Sequence, residues 1–296
     1  MKHMLLFYIF FGIFFLNTSC SSDSSENNDG PELPLAAETF MDVPYGDNDQ
    51  QRYDLYLPAN RSTEYTKVII LVHGGGWTEG DKADMDYIIP FLKSSHPNHA
   101  IVNMNYILAN LQTPAFPNQF EDIQAVISKL FNERVELQIN PEFALIGASA
   151  GAHLSLMYDS VYDEDDKVKM VVDIVGPTDF TDPYYSENPN FGFLLSALVD
   201  ESAYPTNTDY AVAVSPALQI SNTTSPTLLF YGNADPLVPL TNGERLNTAL
   251  TNANIEHNFS VYEGGHGDNW SQADYLDVQN QISSYINSYL EVNTEL

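Results

Sequence analysis

The sequence alternates between apolar, β-rich runs and segments with helical spacing. Six runs carry the strongest signal, and several are apolar almost without interruption: KVIILVHGGG, HAIVNMNY, EFALIGAS, KMVVDIVGP, PTLLFYGNAD and HNFSVYEGG. Such runs are typical of strands that are buried on both faces, as happens when helices cover both sides of a parallel sheet. Because strand–helix–strand crossovers are right-handed, the alternation predicts a doubly wound, mostly parallel sheet.

Two earlier runs, TFMDVPYG and QRYDLYLP, are joined by the turn GDNDQ and predict a hairpin at the sheet edge. The fold class predicted is therefore α/β, with an eight-stranded, doubly wound and mostly parallel sheet. The residues between the strands predict helices at 84–93, 117–135, 150–158, 240–253 and 271–289. Residues 182–217 interrupt this alternation. They are aromatic and loop-like, and predict a small lid between strands 6 and 7 that forms a wall of a substrate pocket.

The first residues, MKHMLLFYIFFGIFFLNTSC, have the pattern of a secretory signal. The apolar run at 4–16 is too short for a comfortable membrane span. Cys20, the only cysteine of the chain, stands where bacterial lipoprotein signals place the residue that is lipidated. We therefore expect a signal peptide at 1–19 and lipidation of Cys20. Ordinary signal cleavage is the alternative, because Leu16 lies one position further upstream than the usual pattern has it.

Residues 20–38 are polar and acidic, and the segment SSDSSENNDGPELP predicts a flexible tether. Residues 39–296 contain no repeat and no second linker, and predict one domain. A lipid on Cys20 makes the membrane a partner, and the Ser- and acid-rich run resembles a surface-export signal. The expected location is the bacterial outer membrane, with the domain exposed at the cell surface. The net charge of −29 excludes nucleic acid, because it repels phosphate.

The segment GASAGAH places Ser149 between a predicted strand and a predicted helix. A Gly-x-Ser-x-Gly pentapeptide alone is weak evidence, since a tight packing turn has the same sequence. Here the context fits a nucleophile, because Gly147 and Gly151 allow a sharp strand-to-helix turn that lifts the hydroxyl clear of the sheet.

A serine nucleophile needs a histidine base and a carboxylate that orients the base. His266, in VYEGGHGDNW, follows a strand and is the predicted base, whereas His153 is expected to be a buried, hydrogen-bonded residue. Asp235, in PTLLFYGNAD, is the predicted acid, and Asp179 after the preceding strand is its competitor. The order Ser, Asp, His favours Asp235 and His266.

The segment VHGGGW predicts the donors for the oxyanion that forms on an attacked carbonyl. Three consecutive glycines after a buried strand allow backbone N–H groups to point into a cavity. The expected donors are the N–H groups of Gly75, Gly76 and Ala150. No zinc spacing and no dinucleotide fingerprint occur in the sequence, so no cofactor and no metal is expected.

Together these motifs resemble the α/β hydrolase superfamily, and within it the esterase and lipase group. This group includes enzymes similar to hormone-sensitive lipase, to feruloyl and acetylxylan esterases, and to kynurenine formamidase. The resemblance covers residues 40–290 and rests on RYDLYLP, VHGGGWTEGDK, FPNQFEDIQAVISKL, GASAGAH, YGNADPLVP and GGHG. One departure is Ile107, where the family usually has arginine, so an ion pair to the helix containing Asp122 is expected to be absent.

The resemblance implies a serine esterase that hydrolyses carboxylic esters through an acyl-enzyme. The expected substrates are small-molecule or polysaccharide-borne esters with short acyl, acetyl or feruloyl groups. The same residues fit a second hypothesis, an amidase, arylformamidase or exopeptidase of the superfamily. A third hypothesis from another class is a non-catalytic surface binding module.

Overall fold

The computed structural model describes residues 35–292. The predicted signal peptide, Cys20 and most of the predicted tether lie outside the described residues, so the predictions for them remain predictions. Within residues 35–292, no helix combines the length and the apolar character needed to cross a membrane.

The core of the structure is one eight-stranded sheet with the strand order β1-β2-β4-β3-β5-β6-β7-β8. β1 pairs with β2 and β2 with β4 in antiparallel fashion, and all other neighbours are parallel. The predicted fold class, including the hairpin at the edge, is therefore confirmed. The strands are β1 Glu38–Pro44, β2 Arg52–Leu57, β3 Val68–Val72, β4 Ala100–Met104, β5 Phe143–Ala148, β6 Val168–Ile174, β7 Thr227–Gly232 and β8 His257–Tyr262.

Helices cover both faces of the sheet. One face packs against α2, α3 and α7, and the other against α1 and α8, which gives two separate apolar cores. The helices between and after the strands are α1 Ile89–Ser95, α2 Asn118–Leu137, α3 Ala150–Met157, α4 Pro183–Ser186, α5 Phe191–Leu198, α6 Tyr210–Ala213, α7 Leu240–Ala253 and α8 Gln272–Tyr289. A 3₁₀ segment, Lys82–Ile88, leads into α1.

The central strands explain the continuous apolar runs of the sequence. All five side chains of β3 are fully buried, and they alternate between the two cores: Val68, Ile70 and Val72 face one core, while Ile69 and Leu71 face the other. β3 and β5 are parallel neighbours, with Val72 opposite Gly147. This register brings the glycine loop after β3 next to the serine turn after β5.

The segment between β6 and β7 differs from the sequence prediction in one respect. It lies where the lid was predicted, but it contains α4, α5 and α6 rather than loop alone. The side chains of Asp182, Asp200 and Asp209 accept backbone N–H groups at the starts of its short helical turns. Such turns are too short to leave a periodic apolar pattern in the sequence. The backbone of Phe116 ties this insertion to the segment before α2 through hydrogen bonds to Leu198 and Asp200.

The carboxylate of Asp122 has neutral hydrogen-bond donors, since position 107 is isoleucine and not arginine. The carboxylate is buried, and it accepts the backbone N–H of Ile107 at 2.8 Å and the side-chain amide of Gln51 at 2.7 Å. Two neutral donors therefore satisfy the carboxylate. They take the place of the ion pair that is usual in the family that the sequence resembles.

Candidate active site

Ser149 occupies a sharp turn between β5 and α3. Its φ of 52° and ψ of −119° lie in a region that residues with a side chain rarely adopt. A Cβ atom on Gly147 would lie 2.3 Å from the carbonyl oxygen of Gly151, and one on Gly151 would lie 2.1 Å from that of Val72. Both flanking positions therefore require glycine, and the turn presents the serine at the carboxyl edge of the sheet.

Ser149, His266 and Asp235 form a continuous chain of hydrogen bonds. His266 Nε2 lies 2.8 Å from Ser149 Oγ, and His266 Nδ1 lies 2.7 Å from Asp235 Oδ2. An ionised carboxylate only accepts, so Nδ1 carries the proton and Nε2 is left to accept from the serine hydroxyl. This is the tautomer that a general base for the serine requires.

Asp235 is held in place by its own backbone turn. Its Oδ1 accepts the N–H groups of Leu237 at 2.8 Å and Val238 at 3.0 Å, and its side chain is fully buried. Burial by itself would raise the pKa of Asp235, but the hydrogen bonds from His266 and from the two N–H groups outweigh it and lower the pKa below its ordinary value. The carboxylate is therefore ionised at neutral pH and stabilises a protonated His266.

The glycine loop lies directly against the serine turn. A Cβ atom on Gly74 would lie 3.2 Å from that of Ser149. Gly75 has a φ of 109°, and its carbonyl oxygen accepts the N–H groups of Thr78 and Glu79. Within residues 35–292, neither Gly75 N–H nor Gly76 N–H donates to a protein acceptor. Ala150 is the first residue of α3, so its N–H has no partner inside the helix.

The two competing residues of the sequence analysis have other partners. Asp179 accepts a hydrogen bond from Arg245 at 2.7 Å, and its other oxygen accepts from Thr181. His153 is fully buried and contacts Trp77 and Val214. Neither residue takes part in the chain of hydrogen bonds around Ser149.

A buried carboxyl group, missed by the sequence analysis, lies beside the site in β6. Asp173 Oδ1 accepts the N–H of Gly176 at 2.7 Å, and Oδ2 lies 2.6 Å from the hydroxyl oxygen of Tyr231. The same hydroxyl is 2.6 Å from the carbonyl oxygen of Gly176. When the hydroxyl proton is donated to this carbonyl, the carboxyl group must supply the second proton. Burial raises the pKa of Asp173 to about 7, which favours the protonated form.

We expect Asp173→Asn to stabilise the protein in a pH-dependent way. An amide reproduces the donor and acceptor pattern of the protonated acid without titrating. Because folding raises the pKa of Asp173, its contribution to stability is full below the unfolded pKa of about 4 and is lost as the pH rises through about 7. Thermal unfolding should give similar Tm values for variant and wild type near pH 4, and a higher Tm for the variant near pH 8. A Tm difference independent of pH would contradict this assignment.

An apolar cleft of about 560 Å³ begins at the glycine loop. Its walls come from this loop, from the segment after β4 and from α5 of the insertion. The insertion therefore lines a cleft, and its role as a wall of a substrate pocket stays a prediction. The lining is almost entirely apolar, so it suits an uncharged alkyl or aryl group. Its main lining residues are Gly76, Trp77, Phe180, Phe191, Leu194 and Leu198.

In the part of the chain that the structure describes, no three His, Cys, Asp or Glu side chains are grouped so that they could hold a metal ion.

Comparison with known proteins connects this geometry to a family. The family model described as BD-FAE matches residues 53–250. Esterase LipC of Mycobacterium tuberculosis is 24% identical over 210 residues, covering 67% of this chain and 51% of LipC. Arylacetamide deacetylase of Bos taurus is 27% identical, covering 54% of this chain and 41% of its own length. The chain thus spans about half the length of the curated relatives it matches.

Solved structures show the same fold. A truncated form of a carbohydrate esterase from gut microbiota superimposes with a TM-score of 0.69 at 21% identity, covering 86% of this chain and 99% of that one. At this identity the likeness shows the fold alone.

Proposed function

Because the chain belongs to the BD-FAE family of α/β hydrolases, we propose that it is a serine esterase that hydrolyses carboxylic esters through an acyl-enzyme. The observation that carries the proposal is the hydrogen-bonded chain from Ser149 Oγ through His266 to Asp235. It combines a nucleophile, a base in the required tautomer and an ionised carboxylate at one sheet edge.

The proposed reaction begins with attack of Ser149 Oγ on the ester carbonyl carbon, while His266 Nε2 takes the hydroxyl proton. The carbonyl oxygen becomes an oxyanion, which accepts from the N–H groups of Gly75, Gly76 and Ala150. When the tetrahedral intermediate collapses, His266 gives the proton to the leaving alcohol and the acyl group stays on Ser149. A water molecule then attacks the acyl carbon while His266 Nε2 accepts one of its protons. When this second intermediate collapses, the bond between the acyl carbon and Ser149 Oγ breaks, His266 returns the proton to Oγ, and the carboxylic acid is released.

The cleft beside Gly76 supports an apolar acyl or aryl group on one side of the scissile bond. This fits the expected short acyl and feruloyl groups. The site also lies at the open edge of the sheet, which suits esters carried by small molecules or by carbohydrate. A solved relative in fold is named as a carbohydrate esterase, which agrees with this substrate class.

Amide hydrolysis is the second candidate, since one relative is named as an arylacetamide deacetylase. A matched pair of substrates, p-nitrophenyl acetate and p-nitroacetanilide, separates the two activities. For an esterase we expect the ester to be cleaved with a far larger kcat/KM, because p-nitrophenoxide leaves more readily than the anion of p-nitroaniline. A kcat/KM that is larger for the anilide would overturn the ester assignment.

Covalent labelling distinguishes an enzyme from a binding module that has the same fold. A fluorophosphonate probe should label the wild-type protein on Ser149, because the reaction needs an activated serine and an oxyanion site. Peptide mass spectrometry locates the label. A protein that stays unlabelled under conditions that label other serine hydrolases would support the non-catalytic module.

For the location we propose an outer-membrane lipoprotein that is exposed at the cell surface and anchored through a lipid on Cys20. The proposal rests on the sequence pattern of residues 1–38, and Cys20 lies outside the described residues. Metabolic incorporation of labelled palmitate into the protein tests the anchor, and ordinary cleavage without lipid is the competing outcome.

A further inference from the structure

Trp77 follows the two glycines of the proposed oxyanion loop and has a left-handed backbone. Its φ is 64°, a strained conformation for a residue with a large side chain, which persists only when its surroundings impose it. The carbonyl oxygen of Trp77 accepts the N–H of Ala109 at 2.9 Å and the side-chain amide of Gln119 at 2.8 Å. The main chain of the loop is therefore fixed directly after Gly76.

The indole ring of Trp77 is fixed as well. Its Nε1–H donates to His153 Nδ1 at 3.2 Å. The ring also makes edge-to-face contacts with Phe116 and Phe180, at centroid distances of 5.6 and 5.9 Å. Within this set of aromatic neighbours, His153 supplies the polar contact.

His153 joins three parts of the site through one side chain. It lies on α3, and its backbone N–H donates to the carbonyl oxygen of Ser149. Its Nε2 lies 2.8 Å from the carbonyl oxygen of Val214 in the insertion. An indole N–H only donates and a carbonyl only accepts, so Nδ1 is the acceptor and Nε2 carries the proton. Burial lowers the pKa of His153 to about 4, which keeps the ring neutral in this tautomer.

We propose that His153 is a positioning residue that holds the Gly75–Gly76 loop in the geometry in which its N–H groups face the oxyanion. This inference rests on the proposed function, since it concerns the same reaction. The loop needs outside support at this point, because Gly75 and Gly76 are both exposed and a Cβ atom on Gly76 would point into open space. The position of Gly76 depends on the turn at Gly75 and on the anchored Trp77.

The first test is His153→Phe, which keeps a planar ring among its aromatic neighbours and removes both hydrogen bonds. Small misplacement of catalytic groups costs up to about 100-fold in rate, so we expect kcat for p-nitrophenyl acetate to fall by about 10- to 100-fold with KM nearly unchanged. Trp77→Phe, which removes the Nε1–H, should lower kcat in the same direction. The double variant should lose less than the product of the two single losses, because both break the same contact.

Two further variants separate a positioning role from a merely structural one. The side-chain oxygen of His153→Asn stands near the place of Nδ1 and retains an acceptor for Trp77. The amide of His153→Gln reaches the place of Nε2 and retains a donor for Val214. We expect Asn to restore most of kcat and Gln to restore mainly Tm. The reverse pattern, or a kcat of His153→Phe within twofold of wild type, would overturn the proposal.

His99→Phe is a matched control. His99 is also buried, also donates to a carbonyl oxygen, that of Leu290 at 2.8 Å, and has its pKa lowered to about 4 by burial. It directly precedes β4, at the amino edge of a sheet whose carboxyl edge carries the site. This variant should have a lower Tm and an unchanged kcat.

If the wild type itself neither hydrolyses the ester nor takes up the fluorophosphonate, the proposed function fails. A wild type that is active, with a His153→Phe variant equally active, refutes the positioning role alone.

Discussion

Replacement of Ser149 by alanine is expected to lower kcat for ester hydrolysis by about 10⁵-fold or more, the scale of loss seen when a serine nucleophile is removed from a catalytic triad. The substitution deletes one oxygen atom. It leaves His266 with Asp235 and leaves the backbone donors of Gly75, Gly76 and Ala150 in place. KM should change little, because these groups still bind the substrate. The measurement is steady-state hydrolysis of p-nitrophenyl acetate, together with loss of fluorophosphonate labelling.

Ser155→Ala is the matched control for that variant. Ser155 lies on α3, the helix that follows Ser149, is buried, and donates its hydroxyl proton to the carbonyl oxygen of Gly151 at 2.7 Å. Loss of this hydrogen bond should lower the free energy of unfolding by about 0.5–1.5 kcal/mol and leave kcat unchanged. The Tm of Ser149→Ala should stay within a few degrees of the wild type, so that lost activity cannot be attributed to unfolding. Undiminished turnover by Ser149→Ala would remove this serine from the mechanism.

The parts of the fold that the sequence predicts best are those with a strong local pattern. The buried strands were recognisable because β3, β5 and β7 are apolar on both faces, and the edge hairpin was recognisable from its turn. Ser149 directly follows β5, and Asp235 and His266 lie in the loops that begin at the ends of β7 and β8. Parallel strands bring such positions to one edge, so the sequence already placed them near each other. Their catalytic roles remain predictions, which the substitutions test.

The remaining features depend on contacts between segments that are distant in sequence. In the sequence, Asp173 is one polar residue inside an apolar strand, and only the position of Tyr231 on the neighbouring strand shows that the two side chains are hydrogen-bonded. The contact between Trp77 and His153 joins residues 76 positions apart. No local sequence pattern predicts such a contact, because the sequence around each residue shows only an ordinary aromatic side chain. The insertion was predicted as loop because each of its helices is only one or two turns long.

Replacement of Asp235 by asparagine is expected to lower kcat by about 10⁴-fold at neutral pH while the fold is retained. The amide oxygen still accepts the N–H groups of Leu237 and Val238, so the turn keeps its shape. The amide nitrogen now donates to His266 Nδ1. This moves the imidazole proton to Nε2, which then cannot accept the proton of Ser149. The variant therefore keeps His266 in place but prevents it from acting as a base. The measurement is kcat as a function of pH, and Tm shows whether the variant is folded.

Asp179→Asn decides between the two acids that the sequence left in competition. The side chain of Asp179 is nearly as buried as that of Asp235, but its carboxylate pairs with Arg245 and lies outside the hydrogen-bonded chain of Ser149. The substitution removes the charge of that ion pair and preserves the acceptor for Thr181. We expect a lower Tm and an unchanged kcat. If Asp179→Asn lost most of its kcat and Asp235→Asn stayed active, Asp179 and not Asp235 would be the acid that orients His266. The structure argues against that outcome, because the carboxylate that lies 2.7 Å from the imidazole is that of Asp235.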